Sequence, residues 1–198
     1  MDVYMIRHGE SESNADGTHS GWSPVSLTGK GRAQAALTRR RLEGIPFDRL
    51  FVSDVLRAQQ TADIIFPGMA RTFLPIAREM NNTAMRGKTP AEMAALFPAL
   101  YPVCRAEFDY APLGMDCESR GHFSARAQTL LDMMASLGNV NRVAVVSHAG
   151  LIRATAARIL GLSHYTRELM CSNASVSVFH LDESGWRVLL WNLPPELP

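Results

Sequence analysis

Apolar residues fall along this chain in short runs and longer periodic stretches that alternate, and the alternation predicts the elements. Val3 to Ile6 is a short apolar run that reads as a buried strand ending on Arg7-His8-Gly9-Glu10. Residues 11 to 29 are rich in Ser, Gly, Asn and Thr and predict a long loop. From about 29 to 42, Ala33, Ala36, Leu37 and Arg40 share one face of a helix that Thr28 can cap. Leu50-Phe51-Val52 predicts a second strand. Ser53 then stands at the expected N-cap of a helix through Leu56, Gln60 and Ile64, which Pro67-Gly68 stops. Phe73 to Ile76 predicts an edge strand, because Pro75 cannot donate to a sheet ladder.

Residues 77 to 88 read as a loop, and Thr89-Pro90-Ala91-Glu92 as a capping box that opens a short helix. The prolines and glycines between 98 and 121 predict an irregular excursion over one end of the sheet. A helix is expected from about 122 to 137, ended by Gly138-Asn139. Arg142 to Val146 is the clearest buried strand, with Val143-Ala144-Val145-Val146 apolar on both faces. It runs through Ser147-His148-Ala149-Gly150 into a helix from about 150 to 160. Ser175 to Leu181 and Trp186 to Trp191 form a hairpin around Asp182-Glu183-Ser184-Gly185. Trp186 and Trp191 lie five apart on that strand and are expected on opposite faces. Strands alternating with helices predict an α/β fold with a largely parallel or mixed sheet.

Composition narrows the function more by exclusion than by indication. The 198 residues are 46% hydrophobic and 20% charged, which suits one globular domain over 1–198 with a full core. The formal net charge of +1 gives no electrostatic argument for nucleic acid or an anionic membrane. No apolar run approaches the roughly 18 residues of a membrane helix. The run at Val3 has no basic segment before it and is too short for a signal peptide. Cys104, Cys117 and Cys171 are odd in number without CxxC spacing. Reduced thiols and a cytoplasmic chain are therefore expected.

Chemistry concentrates at the strand ends. In open α/β sheets, ligands sit at the carboxyl ends of the strands, where Arg7-His8, Ser53 and Ser147-His148 follow three of them. Arg57 lies one helical turn beyond Ser53, and Glu79 follows the third strand candidate. These are the parts of phosphoryl transfer through an enzyme nucleophile. A neutral imidazole can attack phosphorus, guanidinium groups can hold the equatorial oxygens, and a carboxylic acid can protonate the leaving oxygen. Glu10 and Glu118 are alternative acids. His19, His122, His164 and His180 form no zinc pattern, and no metal or cofactor is expected. Trp22, Met85, Phe108 and Met115 are candidates for an apolar substrate wall or for loop anchors.

Arg7-His8-Gly9-Glu10-Ser11, with Asn14 beyond it, resembles the signature of the histidine phosphatase family, which includes the cofactor-dependent phosphoglycerate mutases. Leu27-Thr28-Gly29-Lys30-Gly31-Arg32, the block Ser53 to Ala62, and Ser147-His148-Ala149-Gly150 are similar to further blocks of that family, in order. The resemblance implies a phosphoglycerate mutase-like, three-layer α/β/α sandwich with a mostly parallel central sheet. It implies that His8 accepts the phosphoryl group and that Arg7, Arg57 and Asn14 line the phosphate pocket. His148 then contacts the phosphoryl oxygens, Glu79 donates the proton, and Ser20, Gly21 and Ala149 join the substrate-binding set. The acidic block departs from the family at Thr83, Met85 and Arg86.

The resemblance covers both hydrolases and mutases. Ser20-Gly21-Trp22 and Arg105 resemble mutase substrate contacts, but Ala106 stands where a mutase has a second arginine, and Gly17 replaces a common asparagine. The expected activity is a phosphomonoesterase on a small phosphorylated metabolite. A cofactor-dependent mutase and a catalytically weak phospho-ligand-binding protein are the alternatives. A small phosphomonoester is the expected partner, and a homodimer is compatible with the chain.

Overall fold

The computed structural model describes residues 1–114, 116–163 and 168–195. Met115 and His164, with residues 165–167 and 196–198, lie outside the described residues. Among the described residues six strands form one sheet: β1 (Asp2–Arg7), β2 (Arg49–Val52), β3 (Thr72–Phe73), β4 (Arg142–Ser147), β5 (Val176–Asp182) and β6 (Gly185–Leu193). Their order is β3-β2-β4-β1-β5-β6. Pairings from β3 through β1 are parallel, and β5 and β6 add antiparallel to the far side. The sheet is thus mixed and mostly parallel, as the alternation of patterns predicts.

The central strands are apolar on both faces because both faces are covered. Val3, Met5, Phe51, Val143, Val145 and Phe179 point into one core cluster. It is shared with Phe123, Leu130 and Met134 of α6 (Arg120–Ala135) and with Leu151 and Ile152 of α7 (Ala149–Ile159). Ile6, Leu50, Val52, Ala144, Val146 and Val178 point the other way. They meet Ala35 and Leu42 of α2 (Gly29–Leu42) and Ala58, Ala62 and Ile65 of α3 (Leu56–Ile65). Each fully buried Val, Ile, Leu or Phe contributes about 1.5–3 kcal/mol.

Local signals set several boundaries. Thr28 accepts the Gly31 N–H at 3.0 Å and starts α2. Thr89 and Glu92 form the expected capping box, with Pro90 opening α4 (Pro90–Leu96). Where the sequence predicts loop alone, two helices form: α1 (Glu12–Ala15) and α5 (Tyr101–Glu107). The second exists because Tyr101 and Cys104, one turn apart, bury into the core. The expected strand over 73–76 is shorter and becomes a 3-10 turn at Pro75–Ala77. The N-cap of α3 is Val55 and not Ser53, whose hydroxyl bonds elsewhere. Trp186 and Trp191 pack on the same core cluster and not on opposite faces. The register shift between Val178 and Phe179 inserts one extra residue in β6 between Val188 and Leu190, and that single insertion between the tryptophans reverses the side-chain alternation.

Candidate active site

The carboxyl ends of β1, β2 and β4 meet. Arg7 pairs with Ser147, the His8 N–H donates to the Ser147 carbonyl at 2.9 Å, and the Ser53 N–H donates to Val146 at 2.9 Å. His8, Arg57 and His148 are brought together there and are almost wholly buried. The ring centroids of His8 and His148 lie 5.1 Å apart.

Hydrogen bonds fix both tautomers. His8 Nδ1 is 2.7 Å from the Gly9 carbonyl, which can only accept, so Nδ1 carries the proton. The Nε2 lone pair is then free to act as a nucleophile, and Arg57 Nε donates to it at 3.2 Å. Arg57 Nη2 donates to His148 Nδ1 at 3.2 Å, which leaves the His148 proton on Nε2, donated to Ser53 Oγ at 2.9 Å. Burial, the neighbouring Arg57 and the nearby Arg7 hold the His8 pKa well below its ordinary range. For His148 the causes are burial, then Arg57 and His8. Both rings are neutral in the resting site.

The two guanidinium groups are positive charge drawn out of water. Burial lowers the pKa of Arg57 to about 10, and that of Arg7 falls for the same reason. Arg57 also donates to the Gly21 carbonyl at 2.8 Å and to Ser23 at 3.4 Å, so the loop carrying Ser20 and Gly21 wraps over it. Arg7 Nη1 donates to the Cys171 carbonyl at 2.6 Å, and Arg7 Nε is buried with no partner. Their hydrogen bonds go to carbonyl oxygens and imidazole nitrogens. Buried charges of this kind call for an anion.

Glu79 reaches the same place from the segment after the 3-10 turn. Its Oε1 accepts from the Met80 N–H at 2.8 Å and its Oε2 from the Gly150 N–H at 3.0 Å. The carboxylate thereby satisfies a free N–H in the first turn of α7, whose N-cap His148 makes no side-chain cap bond. A cleft of about 400 Å³ opens beside Glu79, Ala149 and Gly150, with His19, Arg105, Tyr110 and Arg153 on its walls.

Other expected residues are placed less directly. Asn14 Oδ1 accepts from Ser11 and from Asn173, and Asn173 in turn donates to the His8 carbonyl at 3.2 Å. Asn14 is thus joined to the His8 backbone through Asn173. Of the alternative acids, Glu10 is held by Lys30 and Thr28, which lower its pKa, and Glu118 is paired with Arg126. Met85 is core and not substrate wall, whereas the Trp22 indole donates to the Glu79 carbonyl at 2.7 Å and anchors it. Ser147 Oγ donates to the Ala77 carbonyl at 2.7 Å.

Sequence reasoning passed over Thr61, Asn173 and Arg126. Thr61 Oγ1 accepts the Gly9 N–H at 3.1 Å and donates to the Arg57 carbonyl at 2.7 Å, tying α3 to the His8 turn. A threonine four residues after Arg57, able to bond back to its carbonyl, was the only local sign. Among the described residues no group of three His, Cys, Asp or Glu side chains could hold a metal, and no helix is long and apolar enough to cross a membrane.

Comparison with known proteins bears on the whole chain. A family model described as the histidine phosphatase superfamily (branch 1) matches residues 3–194. The chain is 30% identical over 198 residues to a probable phosphoglycerate mutase of Erwinia tasmaniensis, covering 96% of this chain and 90% of that protein. It is 27% identical over 191 residues to an adenosylcobalamin/alpha-ribazole phosphatase of Salmonella typhi, with the same coverages of 96% and 90%. The solved mycobacterial glucosyl-3-phosphoglycerate phosphatase, in complex with VO3, superposes with a TM-score of 0.84 at 28% identity, over 97% of this chain and 98% of that one.

Proposed function

The chain belongs to the histidine phosphatase superfamily, branch 1, and on that premise we propose that it hydrolyses small phosphomonoesters through a phosphohistidine at His8. The observation that carries this reading is the unprotonated Nε2 of a neutral His8, set against the buried Arg57 guanidinium that donates to it and the partly buried Arg7. The whole chain acts as one catalytic domain.

The substrate phosphate enters between Arg7 and Arg57, whose donors turn from carbonyl and imidazole partners to its oxygens. His8 Nε2 attacks phosphorus, a P–N bond forms and the P–O bond to the leaving group breaks. Glu79, on the wall of the cleft, enters the cycle as the carboxylic acid and hands its proton to the departing oxygen. A substrate that enters as the monoanion brings one proton with it; His148 takes that proton at Nδ1, donates from there to the phosphoryl oxygens, and returns it to the phosphate that leaves. Water then attacks phosphorus, Glu79 takes back a proton, and the P–N bond breaks to restore neutral His8. Charge redistribution is stabilised by donors already in place, the largest contribution in most such sites.

The match to a probable phosphoglycerate mutase makes phosphoryl transfer between carbons of one substrate the second reading. The test is phosphate release and product identity on an aryl phosphate, sugar phosphates and 3-phosphoglycerate, with and without 2,3-bisphosphoglycerate. Phosphate release without the bisphosphate is expected. Isomerisation that requires the bisphosphate would replace this reading by the mutase. Binding without turnover on the whole panel would replace it by a phospho-ligand-binding protein.

A further inference from the structure

The acid is held by more than its own two hydrogen bonds. Arg126 projects from α6 toward residues 76–79, with its side chain 11% exposed. Its Nη1 donates to the carbonyls of Ile76 at 2.8 Å and Arg78 at 2.6 Å. Its Nη2 donates to the Glu79 carbonyl at 3.0 Å and to Glu118 Oε2 at 2.7 Å, and its Nε to Glu118 Oε1 at 3.0 Å. A guanidinium has five N–H donors in a rigid plane, and all five are used here. Lysine has three donors and no plane, so it cannot reproduce the set.

Glu118 completes the clamp. Its side chain is 4% exposed, and Oε2 also accepts the Asn81 N–H at 3.1 Å, while its own N–H donates to the Asn81 carbonyl at 2.8 Å. The backbone is therefore gripped on both sides of Glu79, at 76–79 by Arg126 and at 81 by Glu118. A loop spanning the edge of a sheet is ordinarily among the more mobile parts of a fold, and a general acid must be held close to its productive geometry.

We propose that Arg126, seated on Glu118, is the positioning residue that holds Glu79 for proton transfer to the leaving group. The proposal rests on the reading of Glu79 as the acid. Arg126 touches no reacting atom; it acts through the Glu79 backbone. Arg126 and Glu118 also line a cleft of about 610 Å³ on the side of Trp22 and Arg78, which gives small cations a way to the clamp.

The test compares Arg126→Met, Arg126→Lys and Glu118→Gln with Glu79→Gln. Each is assayed on an alkyl phosphate, whose leaving group needs a proton, and on p-nitrophenyl phosphate, whose leaving group needs it less. The expected result is a fall of about tenfold to a hundredfold in the alkyl-to-aryl ratio of kcat, with KM little changed, in all the clamp variants. Arg126→Ala should regain alkyl-phosphate turnover on addition of sub-denaturing guanidinium chloride and not of sodium chloride. If Arg126→Met does not fold, Arg126→Lys and Glu118→Gln carry the comparison. Equal loss on both substrates, or no rescue by guanidinium, would overturn the clamp while leaving Glu79 as the acid. An unchanged ratio in Glu79→Gln would overturn the acid and the clamp with it.

Discussion

Gly150→Ala tests Glu79, the proposed acid, with a single methyl group. A Cβ built at Gly150 falls 2.0 Å from Glu79 Oε1, 2.9 Å from its Cδ and 3.2 Å from Oε2. To restore van der Waals separation the carboxylate has to retreat by roughly 1.5 Å. That retreat breaks the 3.0 Å bond from the Gly150 N–H. Displacement of a reacting group by about 1 Å costs on the order of a hundredfold in rate. Stability should move the other way or not at all. The residue lies in the first turn of α7, the three atoms nearest the added methyl all belong to the Glu79 side chain, and alanine exceeds glycine in helix propensity by about 1 kcal/mol. The assay is steady-state kinetics on an alkyl and an aryl phosphate beside a thermal melt. The expected result is about a hundredfold lower kcat on the alkyl ester, a much smaller loss on the aryl ester, and a melting temperature equal to or above that of the parent. Full alkyl-phosphate turnover in Gly150→Ala would refute the placement of the acid against α7.

Gly31→Ala makes the contrasting case. Its Cβ would fall 2.0 Å from the Glu10 carbonyl oxygen and 2.7 Å from the Glu10 nitrogen, both backbone, so strain of about 1–3 kcal/mol and equal losses on both substrate types are expected in urea unfolding and kinetics. Arg57→Met should weaken inhibition by inorganic phosphate or vanadate by about tenfold or more, since it removes charge-assisted hydrogen bonds; unchanged inhibition constants would count against Arg57 as a phosphate ligand. The lowered pKa of His8 and His148 ties stability to pH. The unfolded chain takes up protons near 6.5 and the folded chain only below that, so the two rings' contribution is present above 6.5 and is lost as pH falls from there through their lowered folded values. Replacing His8 by Asn should flatten the fall in unfolding free energy between neutral and mildly acidic pH, and an equally steep fall would contradict the assignment.

The sheet was legible because its strands carry their signal locally. Val143 to Val146 is apolar on both faces because helices cover both faces, and the polar residue following each strand marks the end where ligands collect. Thr28 and the Thr89–Glu92 box fixed helix starts through bonds only a few residues long. Features set by contacts distant in sequence were not legible. The helix at Tyr101–Glu107 forms because two of its side chains find the core. The β6 irregularity between Val188 and Leu190 that puts both tryptophans on one face depends on pairing with β5. Arg126 stands 47 residues from Glu79 on an ordinary helix, and nothing in its neighbourhood marks the carbonyls it meets. The site divides the same way. His8, Arg7, Arg57 and His148 lie in local motifs, whereas the atoms that orient Glu79 come from α6, α7 and the Trp22 loop.

A phosphohistidine at His8 can be trapped chemically. The enzyme is mixed with a labelled phosphomonoester, quenched within the first turnover, digested under alkaline conditions that preserve phosphohistidine, and mapped by mass spectrometry. Label is expected on the peptide containing His8, labile to acid, and absent from a folded His8→Asn variant. No label in an enzyme that turns over, or label that persists in His8→Asn, would contradict it.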